Sequence, residues 1–237
     1  MKAVILAGGK GTRLAPYTTV LPKPLMPIGD MPILAVILHQ LKAHGVSEVV
    51  LCVGYLSSLL EAYFADGERF GLKITYSREN EPLGTAGPLG LVPDLNETFF
   101  VMNGDLLTTI NYSAMLKFHR SHGKCATVGL ARKDVKIDLG IIETTADMSI
   151  ANYIEKPTLS YMISMGIYVF EPEVLEFVRG KGRIDLPDLV LKLVHEGRAP
   201  KAFDSACQWL DIGRVEDYAT ATETFERDRS AYLPPIR

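Results

Sequence analysis

Apolar runs and amphipathic stretches alternate along the first half of the chain. Residues 3–6 form a continuous apolar run closed by glycines, the pattern of a buried strand, and residues 32–44 are apolar on most faces and stopped by Gly45, which predicts a helix. Residues 48–53 then read as the next strand. The rhythm continues with a helix over 57–65 ending before Gly67 and a strand over 72–76. A buried strand over 98–102 runs into Asn103-Gly104-Asp105, a helix over 112–122 is stopped by Gly123, and a strand covers 126–130. Strands and helices taking turns in this way predict a mostly parallel sheet.

The second half changes character. Short strands near 140–143, 152–154 and 165–170 are separated by loops, before helices at 172–178 and 186–196, so this half reads as a smaller lobe on the acceptor side. Asp211-Ile212-Gly213 closes a strand, an amphipathic helix covers 215–227, and a Pro234-Pro235 tail follows. There is no repeat, low-complexity segment or long linker. One domain over 1–237 is expected, with halves at about 1–130 and 131–213 and a C-terminal helix and tail over 214–237. Ligands of open α/β sheets sit beyond the carboxyl ends of the strands. Gly8-Gly9, Asn103-Gly104-Asp105 and Asp211 all read as such ends, which predicts that they meet in one crevice.

With 237 residues, 47% hydrophobic and 22% charged, the chain can bury one full core. The formal net charge of -3 and pI near 6.0 give no general attraction to nucleic acid, so an anion site must be a local concentration of Arg and Lys, and the ligand is expected to be small. The longest apolar run, 33–38, is far short of a membrane span, and the N-terminus holds one lysine and then a strand rather than a signal peptide. A cytoplasmic protein with no membrane partner is expected. Cys52, Cys125 and Cys207 are odd in number and widely spaced in apolar sequence, which argues for buried reduced thiols. His39, His44, His119, His122 and His195 lack ligand spacing and read as structural or solvated. Tyr55, after Val53-Gly54, reads as a core tyrosine or a pocket wall.

The chemistry is concentrated in Gly8-Gly9-Lys10-Gly11-Thr12-Arg13 and in Pro22-Lys23-Pro24. Glycines allow a loop to turn its N–H groups onto a polyanion, and Arg13 with Lys23 supplies cations. The spacing fits neither G-x-G-x-x-G nor G-x-x-x-x-G-K-[ST], so a dinucleotide dehydrogenase and a P-loop ATPase are both disfavoured. Asp105 and Asp211 each follow a strand. Two hard carboxylates beside phosphates suit Mg²⁺, while a turn aspartate and a helix N-cap are the plainer alternatives.

In order along the chain, G-G-x-G-T-R, P-K-P, Gly104-Asp105, Glu155-Lys156-Pro157 and Asp211-Ile212-Gly213 resemble the sugar-phosphate nucleotidyltransferase family, the NDP-sugar pyrophosphorylases, from residue 1 to about Tyr218. The resemblance implies the nucleotide-diphospho-sugar transferase fold, a Rossmann-like mixed, mostly parallel sheet flanked by helices with a smaller sugar-binding lobe. It implies transfer of a nucleotidyl group from an NTP to a sugar-1-phosphate, with pyrophosphate leaving and no side-chain nucleophile. Carried over residue by residue, Leu6, Ala7, Gly8, Gly9, Gly11, Thr12, Arg13 and Lys23 would hold the nucleotide, Asp105 with Asp211 the Mg²⁺, and Lys156 the sugar phosphate. Gly140, Glu155, Gly166 and Asp211 complete the sugar side. Arg13, Lys23, Asp105, Lys156 and Asp211 form the implied catalytic set.

The segment from Ser77 through Glu79, Asn80 and Glu81 to Gly87 resembles mannose-1-phosphate guanylyltransferases, whereas thymidylyl and uridylyl relatives usually carry glutamine where Glu79 stands. Guanine offers two adjacent donors to a carboxylate, and thymine or uracil one donor between acceptors. Glu79 therefore points to GTP, although Glu81 could play the part. Gly84 and Thr85 should let the N-terminus of a following helix approach the base or ribose, with Gly8 under the base. Ser164-Met165-Gly166 departs from the family's commoner N-x-G, so a side-chain amide contact to the sugar is absent or moved. Mannose-1-phosphate or a related manno-configured sugar is the expected acceptor, and short heptose-1-phosphate guanylyltransferases also match this length. The alternatives are a thymidylyl-, uridylyl- or cytidylyltransferase, or a non-catalytic nucleotide-sugar sensor. No left-handed β-helix domain of the kind longer relatives append is expected in a chain of this length, and oligomeric state, a homo-oligomer included, stays open.

Overall fold

A computed structural model describes residues 1–79 and 81–233. Asn80 and the Pro234-Pro235 tail lie outside the described residues. The strands are β1 (Lys2–Ala7), β2 (Pro27–Ile28), β3 (Met31–Pro32), β4 (Glu48–Val53), β5 (Lys73–Arg78), β6 (Phe99–Asn103), β7 (Leu106–Thr108) and β8 (Ala126–Lys136). They continue with β9 (Ile141–Thr144), β10 (Ile150–Ile154), β11 (Thr158–Phe170), β12 (Lys201–Asp204) and β13 (Trp209–Asp211). The α-helices are α1 (Ile33–Ala43), α2 (Ser57–Phe64), α3 (Tyr112–His122), α4 (Leu186–His195), α5 (Val215–Arg227) and α6 (Arg229–Tyr232).

One seven-stranded sheet in the order β12-β8-β11-β6-β1-β4-β5 runs through both halves of the sequence. The pairs β1–β4, β1–β6, β4–β5 and β8–β12 are parallel, and β11 is inserted antiparallel between β6 and β8. The expected mixed, mostly parallel α/β sheet is therefore present. Alternation within β1 explains why helices cover both faces. Ala3, Ile5 and Ala7 pack in the cluster that holds α1, Phe64 and Tyr112. Val4 packs on the other face with Leu89, Leu186 and Leu189.

β1 has β4 on one side and β6 on the other, so the strand order reverses there and a crevice opens at the carboxyl ends of β1 and β6. Several expectations need correction. β8 and β11 run well past the predicted spans, pairing through Thr158↔Lys136 to form an exposed two-stranded ribbon beyond the sheet. That ribbon and the β9–β10 hairpin make up the smaller lobe as an arm. Residues 172–177 form a 3₁₀ turn, not an α-helix. β7, β12 and α6 were not expected. Cys52 and Cys125 are buried thiols, but Cys207 is half-buried and lies in a loop rather than a strand. Among the described residues no helix is long and apolar enough to cross a membrane.

Candidate active site

The glycine loop leaves β1 at Ala7 and is pinned at its far end. Gly11 has φ +62°, in the left-handed region that glycine adopts without penalty, and its carbonyl accepts the Thr18 hydroxyl at 2.8 Å. Thr12–Leu14 follows as a 3₁₀ turn and brings Arg13 round toward the crevice. On the other side of β1, Gly104 N–H donates to the Leu6 carbonyl at 3.0 Å, which sets Asp105 beside the start of the loop.

Asp211 arrives by a separate route. β7 begins immediately after Asp105 and pairs antiparallel with β13, with Asp211 opposite Leu106, and Ile212 N–H donates to the Asp105 carbonyl at 3.3 Å. The two aspartate segments are thus joined through a two-stranded ladder rather than through the main sheet. Lys23, 9% exposed, donates from Nζ to Asp105 Oδ2, and Asp105 Oδ1 is buried with no hydrogen-bond partner. Burial raises the Asp211 carboxyl above its ordinary range, the Asp105 charge raises it further, and Lys23 and Arg13 oppose the shift. A Cβ on Gly213 would lie 3.3 Å from both Arg13 Nη1 and Asp211 Oδ2. Arg13, Lys23, Asp105 and Asp211 therefore form one cluster. Its orphaned oxygen and mutually repelling carboxylates are the donor chemistry that suits a hard divalent cation.

Two adjoining cavities meet at Leu6, Gly9 and Asp105. The larger, about 700 Å³, is lined by Gly8, Glu79, Gly84 and Thr85 among others. The smaller, about 240 Å³, is lined by Ala7, Gly11, Thr12, Arg13 and Lys23. Every residue assigned to the nucleotide side lines one or both. Glu79 Oε2 accepts the Leu83 N–H at 3.0 Å, while Oε1 faces the glycines: a Cβ on Gly8 would come within 2.9 Å of it and one on Gly54 within 3.3 Å. Gly54 was missed as a site residue. Its signal was its position one residue beyond β4, equivalent to Gly8 beyond β1. Tyr55 does line the larger cavity, and its hydroxyl donates to the Thr19 carbonyl at 3.0 Å. Cys52 is also in that wall, but burial and the neighbouring Glu79 push its thiol up to about 12, so it offers no nucleophile.

The expected helix after Gly84-Thr85 is a 3₁₀ turn over Gly87–Leu91. The helix N-terminus that does reach Thr85 belongs to α4. On the sugar side, Gly166 (φ +71°) packs against Asn103, where a Cβ would fall 2.6 Å from Nδ2; Asn103 lines the larger cavity and Gly166 stands behind it. Gly140, Glu155 and Lys156 do not gather there. They sit on the arm and line neither cavity: Gly140 packs on the Tyr153 ring, and Lys156 is exposed with Nζ 3.8 Å from Glu155. Lys156 therefore lines neither cavity, unlike Arg13, Lys23 and Asp105.

The family profile described as "Nucleotidyl transferase" matches residues 2–228. The chain is 37% identical over 238 residues to a Synechocystis UTP–glucose-1-phosphate uridylyltransferase, covering 92% of this chain and 61% of the relative. It is 38% identical over 231 residues to the mannose-1-phosphate guanylyltransferase catalytic subunit beta of Danio rerio, covering 93% and 63%. The chain therefore spans a little over three fifths of the length of these relatives. Among solved structures, it is similar to a putative glucose-1-phosphate thymidylyltransferase from Bacillus anthracis, with a TM-score of 0.77 and 24% identity over 94% of both chains. HddC from Yersinia pseudotuberculosis gives a TM-score of 0.70 at 25% identity, covering 94% of this chain and 99% of that one.

Proposed function

The chain belongs to the nucleotidyl transferase family, and from that premise we propose that it transfers a nucleotidyl group from an NTP to a sugar-1-phosphate. A phosphate oxygen of the sugar-1-phosphate attacks the α-phosphorus in line, the bond to the β-phosphate oxygen breaks, and pyrophosphate leaves. The observation that carries this reading is the cluster of Arg13, Lys23, Asp105 and Asp211: Asp105 lines both the nucleotide-sized cavity and the smaller one, Arg13 and Lys23 line the smaller one, and Asp211 lies behind them within reach of their charges. Two phosphate anions repel, so the work required is charge screening and alignment, and no Ser-His or Cys-His pair is needed. Arg13 and Lys23 would neutralise the departing pyrophosphate. Asp105 and Asp211 would hold a divalent cation such as Mg²⁺, which when bound supplies further screening of the phosphates. Lys156, on the arm, would meet the phosphate of the acceptor.

For the base we favour guanine, with mannose-1-phosphate or a related manno-configured sugar as acceptor. Glu79 is an acceptor-only group on the cavity wall and suits the paired N1–H and N2–H₂ donors of guanine. One observation favours the uridylyl or thymidylyl alternative: with Oε2 already accepting the Leu83 N–H, Oε1 is the freer oxygen, and a single imide N–H needs only one. A panel of GTP, UTP, dTTP and CTP against mannose-, glucose- and heptose-1-phosphates, read by pyrophosphate release with Mg²⁺, decides between them. Release with no pair in the panel sinks the transfer reading. Glu79→Gln should shift preference away from GTP, and an unchanged preference removes Glu79 from base reading.

A further inference from the structure

Six hydrogen bonds lay the cavity loop over residues 83–87 onto the start of α4. Ile184 N–H donates to the Leu83 carbonyl at 2.9 Å, and the Ile184 carbonyl accepts the N–H groups of Ala86 at 2.9 Å and Gly87 at 3.1 Å. Asp185 Oδ1 accepts the Thr85 N–H at 2.9 Å and lies 3.3 Å from the Thr85 hydroxyl, which in turn accepts the Leu186 N–H at 2.7 Å. Proton accounting makes the arrangement one-directional. The single hydroxyl proton of Thr85 goes to Asp185, and its lone pair caps an otherwise unpartnered N–H in the first turn of α4. Gly84 is shaped by the same contact: at φ +78°, a Cβ there would fall 2.6 Å from the Ile184 carbonyl oxygen and 2.7 Å from Asp185 Oδ1.

Thr85 therefore has neither its N–H nor its hydroxyl proton to offer a nucleotide. It is a strut, and Asp185, 100 residues further along the chain, is what holds it. Asp185 does not line the larger cavity, whereas Gly84 and Thr85 do. The same loop carries the Leu83 N–H that orients the Glu79 carboxylate. We propose that Asp185 is a positioning residue for the nucleotide, setting the Leu83–Gly87 loop and, through Leu83, the orientation of Glu79. This inference rests on the reading of the larger cavity as the nucleotide site.

The test compares Asp185→Ala, Asp185→Asn and Thr85→Val with the wild type, using KM for GTP, UTP and dTTP, KM for the sugar-1-phosphate, kcat, and thermal midpoints. Losing a hydrogen bond to a charged group should raise the KM of the preferred NTP roughly tenfold in Asp185→Ala and narrow the preference among bases. The KM for the sugar-1-phosphate should move much less. Asp185→Asn keeps an oxygen acceptor for the Thr85 N–H and should recover most of the loss. Thr85→Val should share the phenotype in weaker form, and it decides the matter if Asp185→Ala does not fold. A lowered midpoint with unchanged KM for every NTP, or equal rises in both substrates' KM, overturns the proposal. Calorimetric binding of GTP, UTP and dTTP to the same proteins separates the two readings. If the wild type releases no pyrophosphate yet binds a nucleotide that Asp185→Ala binds more weakly, only the transfer reading falls. If the wild type binds no nucleotide, both fall.

Discussion

The crevice and the arm are built on opposite plans. In the crevice, hydrogen bonds tie Gly104 to Leu6, Ile212 to Asp105 and Leu83 to Glu79, and Lys23 and part of Asp105 are withdrawn from solvent. On the arm, Leu139, Met148, Ile150 and Tyr153 are all more than half exposed, and the exposed Lys156 has its Nζ 3.8 Å from Glu155. Polyanion recognition uses backbone amides and a few cations at fixed strand ends, so it needs rigidity and can be assembled from short contiguous motifs. A two-stranded ribbon with both faces wet has few internal contacts to fix it. The difference predicts that substitutions in the crevice change chemistry, whereas those on the arm change, at most, the affinity for the acceptor.

The largest effect should come from Asp105→Asn. Removing the charge deprives the cluster of a cation ligand and Lys23 of its partner, and turnover should fall about 10²–10³-fold. The thermal midpoint should fall much less than turnover, because the loss of Lys23's charged partner is offset by relief of the repulsion with Asp211, and asparagine keeps an oxygen acceptor for Lys23. Collapse of folding with no separable loss of turnover would make Asp105 a structural aspartate and erase the contrast. Next in size is Lys156→Ala, which sharpens it. If the arm delivers Lys156 to the acceptor phosphate, the KM for the sugar-1-phosphate should rise roughly tenfold, as expected for loss of a charge-assisted contact, with the NTP KM unchanged. No change in either constant would leave the arm without a part in the reaction.

A smaller effect concerns the root of the arm. β8 is anchored to α3 by a buried network in which His119 bonds Thr127 Oγ1 at 2.8 Å and Glu171 at 3.0 Å, while His122 bonds the same hydroxyl at 2.8 Å. Thr98 also donates to Glu171 at 2.8 Å. Burial lowers His119 below the ordinary value of 6.5; Glu171 opposes that shift and Arg120 adds to it. Burial, His119, Lys201 and Lys124 lower His122. The unfolded chain therefore takes up these protons first on acidification. The network's contribution is fully present above pH 6.5 and is lost as pH falls below it. Melting should occur about 2–4 °C lower for each ~1 kcal/mol lost between neutral and mildly acid pH. His119→Gln, which cannot take up a proton there, should flatten the dependence. A midpoint that stays constant over that interval in the wild type contradicts the assignment.

The same contrast explains what could be read from the sequence. α3 and α5 match the predicted spans because amphipathic periodicity and Gly123 mark them, and the glycine loop and both aspartates were readable because strand ends carry them. β12 was missed because Lys201–Asp204 holds only two apolar residues at a sheet edge. The outer part of β11 was missed although Leu159, Tyr161 and Ile163 alternate with Thr158, Ser160 and Ser164: the segment pairs with β8 in a largely exposed ribbon beyond the sheet, where a short alternation follows directly on Glu-Lys-Pro and has no buried residue to mark it. The Thr85–Asp185 clamp joins segments 100 residues apart through one carboxylate, and local pattern carries no trace of such a contact. Lys156 is the converse case: its Glu-Lys-Pro motif was conspicuous, yet motif order says nothing of how far a flanking ribbon projects.

The finest probe of the contrast is the tip of the arm. Met148 is 75% exposed at φ +66°, in a turn closed by Met148 N–H to the Thr145 carbonyl at 3.0 Å and Thr145 N–H to the Ser149 carbonyl at 3.0 Å. The left-handed conformation costs an L-residue with a long side chain about 1–2 kcal/mol, and asparagine tolerates it better. Met148→Asn should therefore stabilise the tip by no more than about 1 kcal/mol, while also removing an exposed apolar side chain. If the arm is energetically separate from the crevice, this gain should appear as slower amide exchange over 141–154, with kcat and the NTP KM unchanged. A change in kcat would mean that the tip and the carboxylate cluster share a motion, and the two regions would then have to be treated as one machine.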